Sequence, residues 1–270
     1  MLRPRPVERG HRIHATRAEH DDFHPVHLAL ALRRWPRKNK PMTALVIAHR
    51  GASAEKPENT LAAFRQALAL GADGIELDVQ ITRDGVPVVF HDTTLRRLTG
   101  QPGRLTDKTW AELKKLRVHG AGRIPRLADA LAFVRGRAVV QIELKRGARV
   151  APVIRVIQQS RAARCVNLAS FEPKLLRAAA LLAPAVSRTL ISKERGSAEK
   201  LLRQMAAANA SGLSLHHPTV RNRAFVGRIH RRGATLWCWT VNDARTARRL
   251  AGWGVDGLLG DNPTLLRRVV

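Results

Sequence analysis

The sequence predicts an α/β fold closed into a (β/α)8 barrel, and three observations carry that expectation. From Leu45 onward, short β-rich runs alternate with amphipathic helical stretches. The β-rich runs are apolar almost without interruption, the pattern of a parallel sheet wrapped by helices, whose strands are buried on both faces. At 270 residues the chain has room for one such barrel, which typically takes about 250.

The first run, ALVIAH (44–49), delivers His49 and Arg50 into a loop rich in Gly, Ser and Pro. NTLAAFRQALALG then reads as a helix with an Asn/Thr N-cap, stopped at Gly71. GIELDVQIT (74–82) and VPVVFHD (86–92) are separated only by Arg83-Asp84-Gly85. That gap is too short for a helical crossover, and Asp-Gly signals a hairpin turn. A hairpin near strand 2 also absorbs the surplus, because nine strand candidates exceed an eight-stranded barrel by one. Centred on Asp84-Gly85, the turn sets Arg83 opposite Val86 and Asp78 opposite His91. With a two-residue strand repeat, Glu76 and Asp78 share a face, so the hairpin is expected to gather Glu76, Asp78 and His91.

AVVQIELK (138–145) puts Glu143 and Lys145 on one face by the same rule. CVNLASF (165–171), SRTLI (187–191), GLSLHH (212–217), TLWCWTV (235–241) and VDGLLG (255–260) complete the strands. Between them RLADALAFV, VAPVIRVIQQS, EPKLLRAAALLA, AEKLLRQMAAA, RAFVGRIHRRG and DARTARRLAGWG repeat apolar residues every three or four positions, as amphipathic helices do. Residues 1–41 differ. They hold five of the eleven His and show no sustained periodicity. They are expected to be disordered or to reflect an upstream start codon, with residues 42–270 as the domain.

Composition excludes more than it assigns. The 48 basic against 21 acidic residues give a net charge of +27, which attracts polyanions and says little about fold. Much of the excess is Arg scattered along helix faces, as at Arg245, Arg248, Arg249, Arg267 and Arg268. Zinc-finger spacing, Tyr and a long basic block are all absent from the sequence, so no specific nucleic-acid partner is expected. Cys165 and Cys238 sit in apolar runs, which suits buried free thiols in a reducing compartment, hence the cytoplasm. No apolar stretch approaches the roughly 20 residues of a membrane span, and VHLALAL lacks the flanks of a signal peptide.

Polar groups cluster at strand ends: His49-Arg50, Glu76/Asp78, His91-Asp92, Glu143/Lys145, Ser170, Thr240/Asn242 and Asp261-Asn262. In an α/β barrel those ends form the working face. Three carboxylates converging without cations would repel one another. A hard divalent cation with oxygen ligands, Mg2+ or Ca2+, resolves this. Three carboxylates, one such cation, Arg50 and Lys145 sum to +1, which a phosphodiester would neutralise. His49 and His91 suit an acid–base pair near neutral pH. Arg50 suits bidentate contact with phosphate oxygens, and a salt bridge to Glu76 fits it equally.

HRGASAEKPENT, GADGIELDVQITRDGVPVVFHD, IELK, ASFEP, WTVND and GVDGLLGDNP, in that order, resemble the motifs of the glycerophosphodiester phosphodiesterase family. The resemblance spans Leu45 to the C-terminus and implies a TIM barrel of the phospholipase C-like phosphodiesterase superfamily. It implies metal-dependent hydrolysis of glycerophosphodiesters to glycerol 3-phosphate and an alcohol. His49 and His91 would be the acid–base pair, Glu76, Asp78 and Glu143 the metal ligands, and Arg50 and Lys145 the phosphate contacts. Trp239 would lie near the glycerol or alcohol moiety, the other reading being a barrel-core Trp beside Trp237. Asn59 would cap the next helix, and Glu58 would support the site.

The chain departs from the family pattern in two places. Gly260 stands where the closing motif usually has Thr. The segment after His91, which in this family forms a small insertion over the site, is short and Arg-rich (Arg96, Arg97, Arg104). Such a basic lid would suit anionic head groups, or transient contact with an anionic membrane. Two alternatives to the family activity remain: a lysophospholipase D-type hydrolase of lysolipids, and a noncatalytic polyanion-binding protein. Oligomeric state, the alcohol head group and the preferred cation are not written in the sequence.

Overall fold

The computed structural model describes residues 44–270; the expectations for residues 1–41 lie outside them. Eight parallel strands close into the predicted barrel. They are β1 (Leu45–Ala48), β2 (Gly74–Ile81), β6 (Val139–Leu144), β7 (Val166–Ser170), β8 (Ser187–Ser192), β9 (Gly212–His216), β10 (Thr235–Trp239) and β11 (Gly257–Gly260). Each pairs with the next, and β1 pairs with both β2 and β11, which closes the ring. The surplus strand is β3 (Pro87–Val89), antiparallel to β2 on its outer end.

Parity along each strand sorts residues between two layers. Leu45, Ile47, Val139, Trp237 and Leu259 pack together inside the barrel, with Trp239 against them. Their neighbours Ile75, Leu77, Val79, Ile142 and Leu144 face the helices instead. The helices are held chiefly by that contact. One example runs Val150–Gln159: no side chain caps its N-terminus, and Pro152 sits in its first turn, where no intrahelical N–H is needed. Val150, Val153, Ile154 and Ile157 are buried in a row, each at about 1.5–3 kcal/mol. Packing, more than capping, keeps this helix in place.

The hairpin forms, but in a register shifted by one from the expected one. Thr82 faces Val86, with Thr82 N donating to Val86 O at 3.0 Å, and Arg83-Asp84-Gly85 make a three-residue loop. Gly85 takes the left-handed conformation (φ 87°) that such loops require. Asp78 is therefore opposite Phe90, whose N donates to Asp78 O at 2.9 Å, and His91 lies one residue beyond the ladder.

After His91 the chain builds a small insertion. Following α1 (Leu61–Ala69) in the order of helices, it contains α2 (Arg96–Thr99), then a turn of 3-10 helix, a short helix Trp110–Leu113 and the two-stranded ladder β4 (Arg117–Val118) and β5 (Gly122–Arg123). Val88, Phe90, Leu95, Leu98, Leu105, Leu113, Val118 and Ile124 give it a core of its own. Cys165 and Cys238 are buried free thiols, as expected. No helix among the described residues is long and apolar enough to cross a membrane.

Candidate active site

The polar strand ends meet at the carboxyl end of the barrel. Leu45 and Ile47 point inward, so His49 does too, and Arg50 follows with positive φ (59°) that turns the chain away. Inward parity likewise collects Glu76 and Asp78 from β2 with Glu143 and Lys145 from the end of β6, since Asp78 is in register with Glu143. Oxygens of Glu76, Asp78 and Glu143 lie within 4.8 Å of one another, a group that can hold a metal ion.

Burial and mutual repulsion set the electrostatics of this cluster. Glu76, 3 % exposed, is pushed up to about 8 by burial and by the charge of Asp78. Glu143 is raised for the same two reasons. Asp78 goes the other way: the charges of Lys145 and Arg50 outweigh its burial and hold it down to about 2. Lys145 Nζ contacts Asp78 Oδ1 at 3.1 Å and Glu143 Oε1 at 2.5 Å. Lys145 thus offsets part of the carboxylate charge of the cluster. Three carboxylates held this close, with Glu76 and Glu143 reluctant to ionise, are a donor set suited to a hard divalent cation.

Each candidate imidazole sits on a carboxylate. His49 Nδ1 pairs with Asp261 Oδ1 at 2.7 Å, and His91 Nδ1 pairs with Asp92 Oδ1 at 2.7 Å. Nε2 of each ring is left for chemistry. His49 interacts electrostatically with Glu76, and His91 with Asp78 and Glu143. Burial of His49 opposes its cation, but the hydrogen bond to Asp261 and the charge of Glu76 outweigh that and raise its pKa. Asp261 is itself fixed: Asn242 Nδ2 donates to Oδ2 at 2.6 Å, and Ser53 Oγ donates to Oδ1 at 3.1 Å. Behind His91, Gln80 Nε2 donates to the carbonyls of Phe90 and Asp92 at 3.0 and 2.7 Å.

Arg50 does not bridge to Glu76 through its guanidinium. Its backbone N–H donates to Glu76 Oε2 at 3.0 Å, while Nη1 pairs with Glu58 Oε1 at 2.8 Å. Its Nε, 3.4 Å from Asp78 Oδ2, is buried with no hydrogen bond closed on it. Glu58 thus supports the site as expected. Asn59 does not cap the helix Leu61–Ala69; Thr60 does, accepting from Ala63 N at 3.2 Å. Asn59 instead holds Asp78.

Trp239 stands at the rim, half-buried, with Nε1 donating to Ser214 O at 3.0 Å. Its ring tilts against His216, with centroids 5.2 Å apart, and meets the edge of Phe171 at 5.7 Å. Trp237, not Trp239, is the barrel-core indole at 2 % exposure. Sequence reasoning flagged Asp92, Asn242 and Asp261 only as polar strand ends, and it missed Gln80, Ser53 and Phe171. Ser170, also flagged, is structural: its Oγ donates to Leu144 O at 2.9 Å.

Comparison with known proteins agrees with this geometry. The family described as glycerophosphoryl diester phosphodiesterase matches residues 49–265. The chain is 36% identical to a glycerophosphodiester phosphodiesterase of Caldanaerobacter subterraneus, over 85% of this chain and 98% of the relative. Among solved structures it is similar to a phosphodiesterase of Oleispira antarctica in complex with the product sn-glycerol 3-phosphate. That likeness has a TM-score of 0.77 and 28% identity, and covers 84% of this chain and 96% of the other. A glycerophosphodiester phosphodiesterase of Agrobacterium tumefaciens is similar with a TM-score of 0.76 and 29% identity, covering 84% of this chain and all of that one (100%). With the barrel, the motifs and the family match in agreement over most of its length, this chain belongs to the glycerophosphoryl diester phosphodiesterase family of enzymes.

Proposed function

We propose that the chain hydrolyses glycerophosphodiesters to sn-glycerol 3-phosphate and an alcohol, with His49 and His91 as the acid–base pair. Glu76, Asp78 and Glu143 would hold one divalent cation, Mg2+ or Ca2+. The observation that carries this reading is the pair of imidazoles, each oriented by a carboxylate at Nδ1, whose charges act on a three-carboxylate cluster able to hold a metal ion. The product bound to the Oleispira antarctica relative supports the same substrate class.

When bound, the cation supplies positive charge to the phosphate oxygens as the P–O bond breaks. The chain's own residues do the rest. In each neutral ring Nδ1–H donates to its aspartate, so Nε2 is the proton acceptor. One Nε2 takes the proton of the attacking oxygen, from water or from the substrate's own glycerol 2-hydroxyl. The other ring, protonated, gives its Nε2 proton to the leaving alkoxide. Where the 2-hydroxyl attacks, a cyclic phosphate forms as the alcohol leaves, and water, deprotonated by the ring that has just given up its proton, then opens it to glycerol 3-phosphate. Arg50, with its Nε unbonded, and Lys145 would hold nonbridging oxygens. Trp239 and Phe171 would offer an apolar wall at the rim for carbon atoms of the substrate.

The test is direct. The full chain is incubated with several glycerophosphodiesters and a lysolipid, with Mg2+, Ca2+ or chelator, and released glycerol 3-phosphate is measured. Cation-dependent release from the glycerophosphodiesters is expected, and turnover that survives the chelator would refute the metal assignment.

A further inference from the structure

One side chain outside the carboxylates and imidazoles reaches both halves of the site. Arg97 lies on α2 of the insertion and is 47% exposed, yet each of its three guanidinium nitrogens donates to a carboxylate. Nε and Nη2 donate to Asp92 Oδ2 and Oδ1 at 2.6 and 2.8 Å. Nη1 and Nη2 donate to Glu58 Oε2 and Oε1 at 2.8 and 2.9 Å. One fork therefore makes two bidentate carboxylate contacts, the geometry for which Arg is suited and Lys is not.

Both carboxylates have a second partner inside the site. Asp92 Oδ1 holds His91 Nδ1 at 2.7 Å, and Glu58 Oε1 holds Arg50 Nη1 at 2.8 Å. The path from His91 through Asp92, Arg97 and Glu58 to Arg50 is continuous in charge-assisted contacts. An isolated exposed ion pair would contribute little, but a bidentate network with both acids largely covered is a different case. Glu58 and Asp92 are 14% and 20% exposed, and without Arg97 they would face each other as two anions. The fork is also anchored from behind. Leu95 and Leu98 are buried in the insertion core on either side of it, and Gly100 ends α2 in the left-handed conformation.

We propose that Arg97 is a positioning residue for the reaction: it clamps Asp92 to Glu58 and thereby sets the His91 ring and the Arg50 side chain relative to each other. This rests on the reading of His91 and Arg50 given above. The insertion is then part of the catalytic frame, because its core places α2 and α2 places the fork.

The test compares wild type, Arg97→Ala, Arg97→Lys and His91→Ala in the full chain. It measures steady-state hydrolysis of glycerophosphocholine with Mg2+ and thermal unfolding by circular dichroism. In Arg97→Ala, kcat is expected to fall about 10–100-fold, the scale for losing a group that orients a reacting side chain, with a smaller change in KM. Guanidinium ion, well below denaturing concentration, should restore part of that kcat without accelerating the wild type, which a purely structural defect would not allow. Arg97→Lys keeps the charge and the stem but not the fork, and should fold normally with kcat well below wild type. Wild-type kcat in either variant, or a loss in Arg97→Ala that guanidinium does not relieve, overturns the proposal. If His91→Ala turns over normally, or the wild type is inactive, the reading of the site fails instead.

Discussion

Asn59 and Asp78 exchange hydrogen bonds in both directions: Asn59 Nδ2 donates to Asp78 Oδ2 at 2.8 Å, and Asp78 N donates to Asn59 Oδ1 at 3.3 Å. Both are buried, and Asn59 has positive φ (59°), which Asn tolerates better than most residues. One amide thus fixes a carboxylate of the candidate metal cluster and ties the first barrel loop to β2. Asn59→Ala removes both bonds and leaves Asp78 Oδ2, in a buried site, with only the 3.4 Å contact to Arg50 Nε. A loss of about 1–3 kcal/mol of stability is expected, read as a lower midpoint of urea unfolding. Cation affinity measured by calorimetry should weaken as well.

His49→Ala and His91→Ala should each lower kcat by about 10²–10⁴-fold, the scale of lost general acid–base catalysis. Asp261→Ala should also slow turnover, because the His49 ring loses the acceptor that sets its orientation. Glycerol 3-phosphate release is the readout, and normal turnover in either His variant would show that its ring is not an acid or base.

Divalent cation binding should stabilise the fold. A ligand that binds only the folded state adds about 2.7 kcal/mol at 100 times its Kd. Adding Mg2+ or Ca2+ should therefore raise the unfolding temperature, and chelator should reverse the rise. Glu143→Gln removes one charge from a cluster within 4.8 Å and should blunt the effect.

Acid sensitivity should depend on Arg97. Its hydrogen bond to Asp92, working against burial, holds that carboxyl down to about 2 from an ordinary 3.8. A pKa lower in the folded than in the unfolded state means that the unfolded chain binds the proton more readily. The stabilisation is thus complete above about pH 4 and fades as pH falls towards about 2. Arg97→Ala should flatten that slope, so that the urea midpoints of wild type and variant converge on acidification through this window.

Gly260 accounts for the chain's departure from the closing motif. A Cβ at this position would sit 2.3 Å from Val241 O and 3.0 Å from a Leu266 methyl. Backbone cannot yield as a flexible side chain can, so Gly260→Thr should cost at least the about 1–3 kcal/mol typical of overpacking. It should also disturb the adjacent Asp261 and hence kcat. Unfolding midpoints and turnover, measured together, check both effects.

Much of this protein is written in short-range periodicity. Strand parity alone put Glu76 with Asp78, and Glu143 with Lys145, on shared faces, because successive strand residues alternate sides whatever surrounds them; that those faces point inward was decided by the closed barrel. The run of apolar residues told which strands were covered, and Arg83-Asp84-Gly85 told that β2 turns back. Other features depended on the three-dimensional closure of the chain. The hairpin register turned on the left-handed Gly85 loop, which moved His91 past the ladder. The pairing of His49 with Asp261 spans 212 residues and exists because β11 lies beside β1 when the barrel closes. Arg97 meets Glu58 across 39 residues because the insertion folds on its own core. Local pattern says which side chains share a face; what they meet there is set by barrel closure and loop conformation, to which distant residues contribute equally.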